Sequence, residues 1–268
     1  MTNAVNNRTT VGNLTATYTF SPKFDVFVRS GLALSQEERE QRRPFSTANF
    51  QRGYYKQQNI GTYEQNTDGL LTYHKQVTPK LNVRASVGAN VMTRSYRGQD
   101  GVVNGLVIPG VYKLTNGVSS PQLTVNNANR QINSVYALTS VSFEDKIFVD
   151  LTGRNDWSST LPAQYNSFFY PSISSSFILN ELLPLPAVVS FAKLRASAAQ
   201  VGNDTDPYRT RKYYGQSDFA GSGSVSSTLY NPAFKPENTT SFETGLEALF
   251  FKGRLGFDVN VYQNLTRN

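Results

Sequence analysis

The sequence predicts an all-β chain of about ten antiparallel strands arranged as five hairpins. Apolar and polar residues alternate through most of the 268-residue chain, as they do in strands with one apolar and one polar face. Only 38% of the residues are hydrophobic, yet 12% are aromatic, which suits a wall with two unlike faces better than a packed globule. Short turn-prone connections also alternate with long polar ones. These features favour a β-barrel wall.

The strands are assigned from this alternation in chain order. In residues 81–91, LNVRASVGANV, every second residue is Leu, Val or Ala, and the residues between them are Asn, Arg, Ser or Gly. A tilted strand that crosses a membrane needs about 9–11 residues, which is the length of this segment. The expected hairpins pair 11–20 with 23–34, 62–77 with 80–96, 133–143 with 146–156, 166–179 with 189–200, and 238–250 with 254–266.

The predicted connections differ between the two ends of the strands. One end has tight turns that combine Pro, Asp or Gly with a lysine, at 20–24, 77–81, 143–147 and 250–255, and a longer proline-rich turn at 180–190. The other end has long polar connections at 35–61, 97–132, 155–166 and 201–236. Soluble sandwiches usually spread loop length more evenly. The asymmetry therefore predicts a transmembrane antiparallel β-barrel with short periplasmic turns and long extracellular loops.

Several kinds of chemistry are not expected from this sequence. The chain has no cysteine, so it has neither a disulfide framework nor a thiol nucleophile. Its net charge is +7, but the basic residues are scattered, which argues against nucleic-acid binding. His74 is the only histidine and lies beside a predicted short turn. Glu243 and Glu247 are about 13 Å apart along one strand, too far for a glycosidase pair. We expect no catalytic residue, cofactor or metal.

One segment has a spacing that resembles a calcium-binding loop. GNDTDPY, at 202–208, places Asn203, Asp204 and Asp206 close together. It lacks the Gly and Glu positions of an EF-hand loop. A turn stabilised by Asn or Asp side chains is therefore expected here.

Two sets of residues are candidates for function. Charged residues on the polar face are expected to point into the barrel lumen: Asp25, Arg29, Glu64, Asp68, Arg84, Asp150, Arg154, Lys193, Arg195, Glu243, Glu247 and Asp258. Aromatic residues in the long connections offer flat faces with polar tips, which suit a sugar ring. These candidates are Tyr54, Tyr55, Tyr112, Trp157, Tyr213 and Tyr214. Packing within the loops, or contact with a partner, is the alternative role for them.

The alternation also predicts which residues face lipid. Ser172, Ser174 and Ser176 should face the lumen, and Phe169, Ile173 and Phe177 should face lipid. Other residues expected on the lipid face are Val83, Val87, Val149, Leu151, Phe257 and Val259. Trp157 and Tyr170 are expected either in the aromatic girdle at the membrane interface or, for Trp157, in loop packing.

Three sequence blocks resemble one family. They are DLTGRNDWSSTLPAQYNSFFYPSISSSFILNE (150–181), KLRASAAQVGNDTDPY (193–208) and NPAFKPENTTSFETGLEALFFKGRLGFDVNVYQNLTRN (231–268). Their order and spacing are similar to those of the SusC/RagA family of TonB-dependent outer-membrane transporters. The resemblance implies a barrel of about 22 strands in the outer membrane of a Gram-negative bacterium. It also implies a plug domain, energy supplied through TonB, and a SusD-like surface lipoprotein as a lid.

The resemblance further implies a substrate class and a domain assignment. Family members import large nutrients, mostly oligosaccharides and sometimes peptides. Residues 1–268 are interpreted as one segment of the barrel domain, without the plug, the signal peptide and the C-terminal strands. Two alternatives stay open at this point: a passive porin or adhesin barrel, and a soluble β-sandwich that binds carbohydrate.

Overall fold

A computed structural model describes residues 2–216, 221–225 and 227–267. Ten long strands form one antiparallel sheet in which every strand pairs with its neighbours along the chain. In sheet order they are β1 (Thr2–Ser21), β2 (Phe24–Thr47), β3 (Phe50–Thr78), β4 (Leu81–Asn104), β5 (Gln122–Phe143), β6 (Ile147–Ser158), β7 (Ser167–Ile178), β8 (Val189–Asn203), β11 (Glu237–Phe250) and β12 (Leu255–Arg267). Two short strands, β9 (Tyr214–Gln216) and β10 (Gly223–Val225), pair separately.

The predicted all-β fold and its five hairpins are confirmed. The ten long strands lie in one sheet, which does not support a sandwich of two packed sheets. A single turn of helix, α1 (Leu179–Leu182), lies in the proline-rich connection, and a 3-10 turn covers Leu114–Asn116. Among the described residues, no helix has the length and apolarity needed to cross a membrane.

Two of the long connections predicted as loops consist in large part of β-strand. Most of 35–61 is strand, because β2 and β3 run for 24 and 29 residues and meet at a tight turn. In 97–132, β4 continues to Asn104 and β5 begins at Gln122. In β2 and β3 these strand ends carry polar residues on both faces, so they have little apolar alternation to detect. Backbone hydrogen bonds hold such a ladder together whatever the polarity of its side chains.

The first of two compact units comprises residues 2–14, 30–67 and 92–131. Its core consists of Tyr55, Val103 and Leu106, each at most 3% exposed. Phe45, Tyr112 and Leu114 pack around them. The buried Asn116 amide fixes the adjoining loop: its Nδ2 donates to the Ile108 and Val111 carbonyls at 2.9 and 2.7 Å, and its Oδ1 accepts from the Ile108 N–H at 3.2 Å.

The second unit comprises residues 15–29, 68–91 and 132–267, and its sheet has two unlike faces. On one face, Asp150, Ser174, Ser197 and Glu243 are direct cross-strand neighbours in β6, β7, β8 and β11. The residues next to them in sequence, Leu151, Ile173, Ala198 and Phe242, form the corresponding row on the other face. Leu151, Ile173 and Phe242 are 46–49% exposed. The two faces have the opposite polarities that the alternation predicts.

Two neighbouring short turns of this unit are joined by ion pairs. Glu144, in the turn between β5 and β6, contacts Lys146 at 3.0 Å and also pairs with Lys80 in the turn between β3 and β4. Hydrogen bonds first from Lys80 and then from Lys146 lower the pKa of the Glu144 carboxyl. The Glu144 N–H also donates to the Lys80 carbonyl at 2.7 Å. Two neighbouring hairpins are thereby joined at their short ends.

Candidate functional site

The polar face of the second unit holds a charged groove of about 450 Å³. Arg195 on β8 lies at its centre and is bound by acidic groups from two other strands. Its guanidinium pairs with Asp258, donates to Asn260 at 3.2 Å, and lies 3.8 Å from Glu247. Asp150, Lys193 and Glu243 complete the charged lining, with Ser174, Ser176 and Ser197 between them.

A glycine makes room for this network. Gly245 on β11 lies between Arg195 on β8 and Asn260 on β12 in the register. A Cβ atom at Gly245 would lie 2.1 Å from the Asn260 Oδ1 and 3.2 Å from the Arg195 Nε. The missing side chain therefore lets the guanidinium reach across β11. A glycine inside a strand is the sequence signal for such a close approach, and sequence reasoning overlooked it.

A second polar cluster surrounds Asp156, which is only 6% exposed. Arg154 donates from Nε to Asp156 at 2.7 Å and from Nη2 to Ser134 at 2.8 Å. The Tyr170 hydroxyl donates to the same carboxylate. Tyr170 thus lies on the polar face, so its predicted place in a lipid-facing girdle is wrong. Trp157 and Phe169 occupy the apolar face at this end, 40% and 60% exposed.

The other charged candidates have other partners, and one of them, Asp68, is linked to Arg154 of the second cluster through Tyr136. Asp25 contacts the imidazole of His74 at 2.5 Å, and Arg29 pairs with Asp68 at 3.1 Å. Arg84 lines a separate groove beside His74. Glu64, in the first unit, lies 3.9 Å from Arg94. That these charges face a lumen stays a prediction.

The aromatic candidates differ in how much ring they expose. Tyr55 is 3% exposed, and its hydroxyl donates to Glu40 at 2.9 Å. Burial, together with that hydrogen bond, raises the pKa of Tyr55 to about 12. The Tyr112 ring centroid lies 6.4 Å from that of Tyr55 and 5.6 Å from the Arg42 guanidinium carbon. Tyr55 therefore has a structural role and presents no face to a ligand.

Three more tyrosine candidates are at least partly exposed, as is Trp157 at 40%. Tyr54 is half-buried, and the centroids of its ring and the Phe50 ring are 5.0 Å apart. The Arg43 guanidinium also stacks on the Phe50 ring. Tyr213 and Tyr214, by contrast, are 49% and 75% exposed. They lie at the start of the small β9–β10 hairpin, within the long connection between β8 and β11. These two tyrosines are the most accessible members of the predicted set.

Sequence reasoning missed the contacts that anchor this long connection. At its start, the Asp204 carboxylate accepts hydrogen bonds from Ser158 and from Thr160, the latter at 2.9 Å. Both hydroxyl residues are at most 5% exposed. Near its end, the Lys235 ammonium lies 5.3 Å from the centre of the Tyr165 ring. Both ends of the connection are thus bound to the segment that joins β6 to β7. In the described part of the chain, no group of His, Asp or Glu residues is arranged to hold a metal.

Replacing Asp204 with alanine should release this anchor. Losing two hydrogen bonds to a charged acceptor costs about 3 kcal/mol, so amide hydrogens in 159–166 should exchange about 100-fold faster with deuterium. Asp206→Ala is the matched control, because the Asp206 side chain is 80% exposed and lies 3.7 Å from Arg209. Equal exchange rates in the two variants would show that Asp204 does not fix the segment.

Comparisons with known proteins agree with the fold. The family described as TonB dependent receptor-like, beta-barrel matches residues 1–268. TonB-dependent receptor P26 of Formosa agariphila is 26% identical over 261 residues, which are 93% of this chain and 26% of that protein. The chain therefore spans about a quarter of this curated relative.

Solved structures share the same architecture. The RagAB peptide importer in its "closed-closed" state superposes with a TM-score of 0.81 at 17% identity, over 98% of this chain and 30% of that one. The ferric preacinetobactin receptor BauA of Acinetobacter baumannii gives a TM-score of 0.60 at 14% identity, over 98% and 38% of the two chains. At these identities the likeness establishes the fold.

Proposed function

Because the chain belongs to the TonB-dependent receptor-like β-barrel family, we propose that it forms part of the wall of an outer-membrane importer of large nutrients. Family barrels lie in the outer membrane of Gram-negative bacteria. The observation that carries the proposal is the two-faced sheet of the second unit. Apolar residues such as Leu151 and Ile173 are about half exposed on one face, and the Arg195 network occupies the other. Lipid on the first side and a wet lumen on the second satisfy both faces.

The aromatic residues on the apolar face support this orientation. Trp157 and Phe169 lie toward the end of the strands opposite the short turns. Aromatic side chains are enriched where a barrel wall meets the lipid headgroups. In the proposed orientation these two residues mark the outer interface, and the short turns with Lys80 and Glu144 lie in the periplasm.

The proposed partners are a SusD-like surface lipoprotein and TonB, with the importer itself carrying out no catalysis. The resemblance of the three sequence blocks to the SusC/RagA family supports both partners. Oligosaccharides are the proposed substrates, because Tyr213 and Tyr214 expose ring faces in a long extracellular connection. Peptides are the second candidate, since RagAB, which has the same fold, is a peptide importer.

Uptake by cells tests this proposal. A strain lacking the gene should lose uptake of fluorescently labelled oligosaccharides, and a protonophore should abolish uptake in the parent strain. Recovery of the protein in the soluble periplasm would exclude the barrel. Uptake that is the same with and without the protonophore would instead indicate a passive porin. Loss of labelled peptide uptake alone would make peptides the substrate.

A further inference from the structure

The segment 206–214, DPYRTRKYY, combines three tyrosines with three basic residues and a single acidic one. It follows directly on the Asp204 anchor and leads into β9. The tyrosines are Tyr208, Tyr213 and Tyr214, which are 47%, 49% and 75% exposed. Aromatic rings this accessible expose apolar surface to water. A ligand that covers them removes this surface from water, which favours binding.

The backbone and the rings of this segment are held in a defined arrangement. Tyr208 has a φ of 66°, a left-handed conformation that is strained for a bulky residue. Its ring meets that of Tyr213 edge to face, with centroids 5.8 Å apart and planes at 86°. Tyr214 lies opposite Val225 in the β9–β10 pair. The Tyr208 and Tyr213 rings are therefore preorganised as a pair, and the strand pairing fixes the backbone of Tyr214. Preorganisation lowers the entropic cost of binding.

The basic side chains lie between the rings in sequence. Arg209 is 3.7 Å from Asp206, and both side chains are well exposed, at 60% and 80%. Within the described residues, Arg211 and Lys212 are exposed and have no ion-pair partner. Two cationic groups next to two open rings are thus available to a ligand. A guanidinium binds carboxylate or sulfate groups in a bidentate manner.

We infer that the segment 208–214 binds an anionic oligosaccharide, one that carries carboxylate or sulfate groups on its sugar rings. This rests on the proposed import function and names its substrate class. Sugar rings stack on the faces of Tyr213 and Tyr214, and the charged substituents pair with Arg211 and Lys212. An acidic peptide supplies the charges but no rings of this kind, so the combination favours a glycan.

Binding to the full-length transporter in detergent, measured by calorimetry, tests the inference. The probes are oligogalacturonate for carboxylates, a chondroitin sulfate oligosaccharide for sulfates, neutral maltoheptaose, poly-glutamate and single-stranded DNA. At least one of the two anionic glycans should bind more tightly than the other three probes, and the one that does identifies the source of the charge. Its affinity should fall as the salt concentration rises.

Paired substitutions separate the two kinds of contact. Arg211→Gln with Lys212→Gln should weaken binding of the anionic glycan about tenfold or more and leave maltoheptaose unchanged. Tyr213→Ala with Tyr214→Ala should weaken the same glycan without affecting poly-glutamate. The control, Lys252→Gln with Arg254→Gln, removes two charges from the exposed turn between β11 and β12 and should have no effect.

Several outcomes would overturn the inference. The inference fails if poly-glutamate or DNA binds more tightly than both anionic glycans. It also fails if maltoheptaose binds as tightly as they do, or if the Arg211/Lys212 variant binds the anionic glycan as tightly as the control variant. A transporter that still imports neutral oligosaccharides would keep the proposed function while this inference failed. Failure of the proposed function itself would appear in the cellular uptake experiment, where deletion of the gene would change nothing.

Discussion

Replacing Ile173 with arginine is expected to prevent assembly of the barrel, whereas replacing its neighbour Ser174 with arginine should be tolerated. Ile173 lies on the apolar face between Leu151 and Ala198 and is 47% exposed. An arginine on the lipid face costs about 2–4 kcal/mol near the middle of the bilayer. Ser174 points to the opposite face, where its hydroxyl lies 3.5 Å from Asp150, so an arginine there gains a carboxylate partner.

The measurement is the amount of folded protein in the outer-membrane fraction, detected by its heat-dependent mobility in gels. Because the two positions are adjacent, the introduced arginines lie in the same strand at nearly the same depth and occupy opposite faces. Equal folded yields for Ile173→Arg and Ser174→Arg would contradict the proposed lipid face. A lower yield for Ser174→Arg would mean that the faces had been assigned the wrong way round.

Replacing Gly88 with valine should destabilise the folded protein strongly. A Cβ atom at Gly88 would lie 2.6 Å from the ring of Tyr136 on the next strand. That ring cannot move away freely, because its hydroxyl donates to Asp68 at 3.0 Å and its face lies 5.7 Å from the Arg154 guanidinium. Overpacking of this kind costs about 1–3 kcal/mol, and displacing the ring also loses about 1.5–3 kcal/mol for a hydrogen bond to a charged group.

Gly12→Val is the matched control, since a Cβ atom at Gly12 meets no other atom within 4 Å. Valine favours strands at both positions, so propensity alone would predict a small gain for each. Folded fraction measured against urea concentration should show a lower midpoint for Gly88→Val and little change for Gly12→Val. Similar midpoints would show that Tyr136 does not need the space above Gly88.

The sequence by itself determined the strands, their pairing and the polarity of each face where one face is apolar. Ile173 and Ser174 show why: successive side chains in a strand point to opposite sides, and this alternation is a local steric property of the chain. The same rule already placed Tyr170 with Ser172 and Ser174, so its assignment to the lipid-facing girdle contradicted information present in the sequence. Where both faces are polar, as in the distal parts of β2 and β3, the alternation disappears and the strands were mistaken for loops.

Only the tertiary structure decided which side chains meet. Arg195 contacts Asp258, 63 residues further along the chain, and it does so because β11 lies between their strands with Gly245 in register. Asp204 likewise accepts from Ser158, 46 residues earlier. A period of two fixes the face of each residue but not the partner opposite it. That partner depends on strand register and on connections of several tens of residues, which backbone geometry within a single strand does not encode.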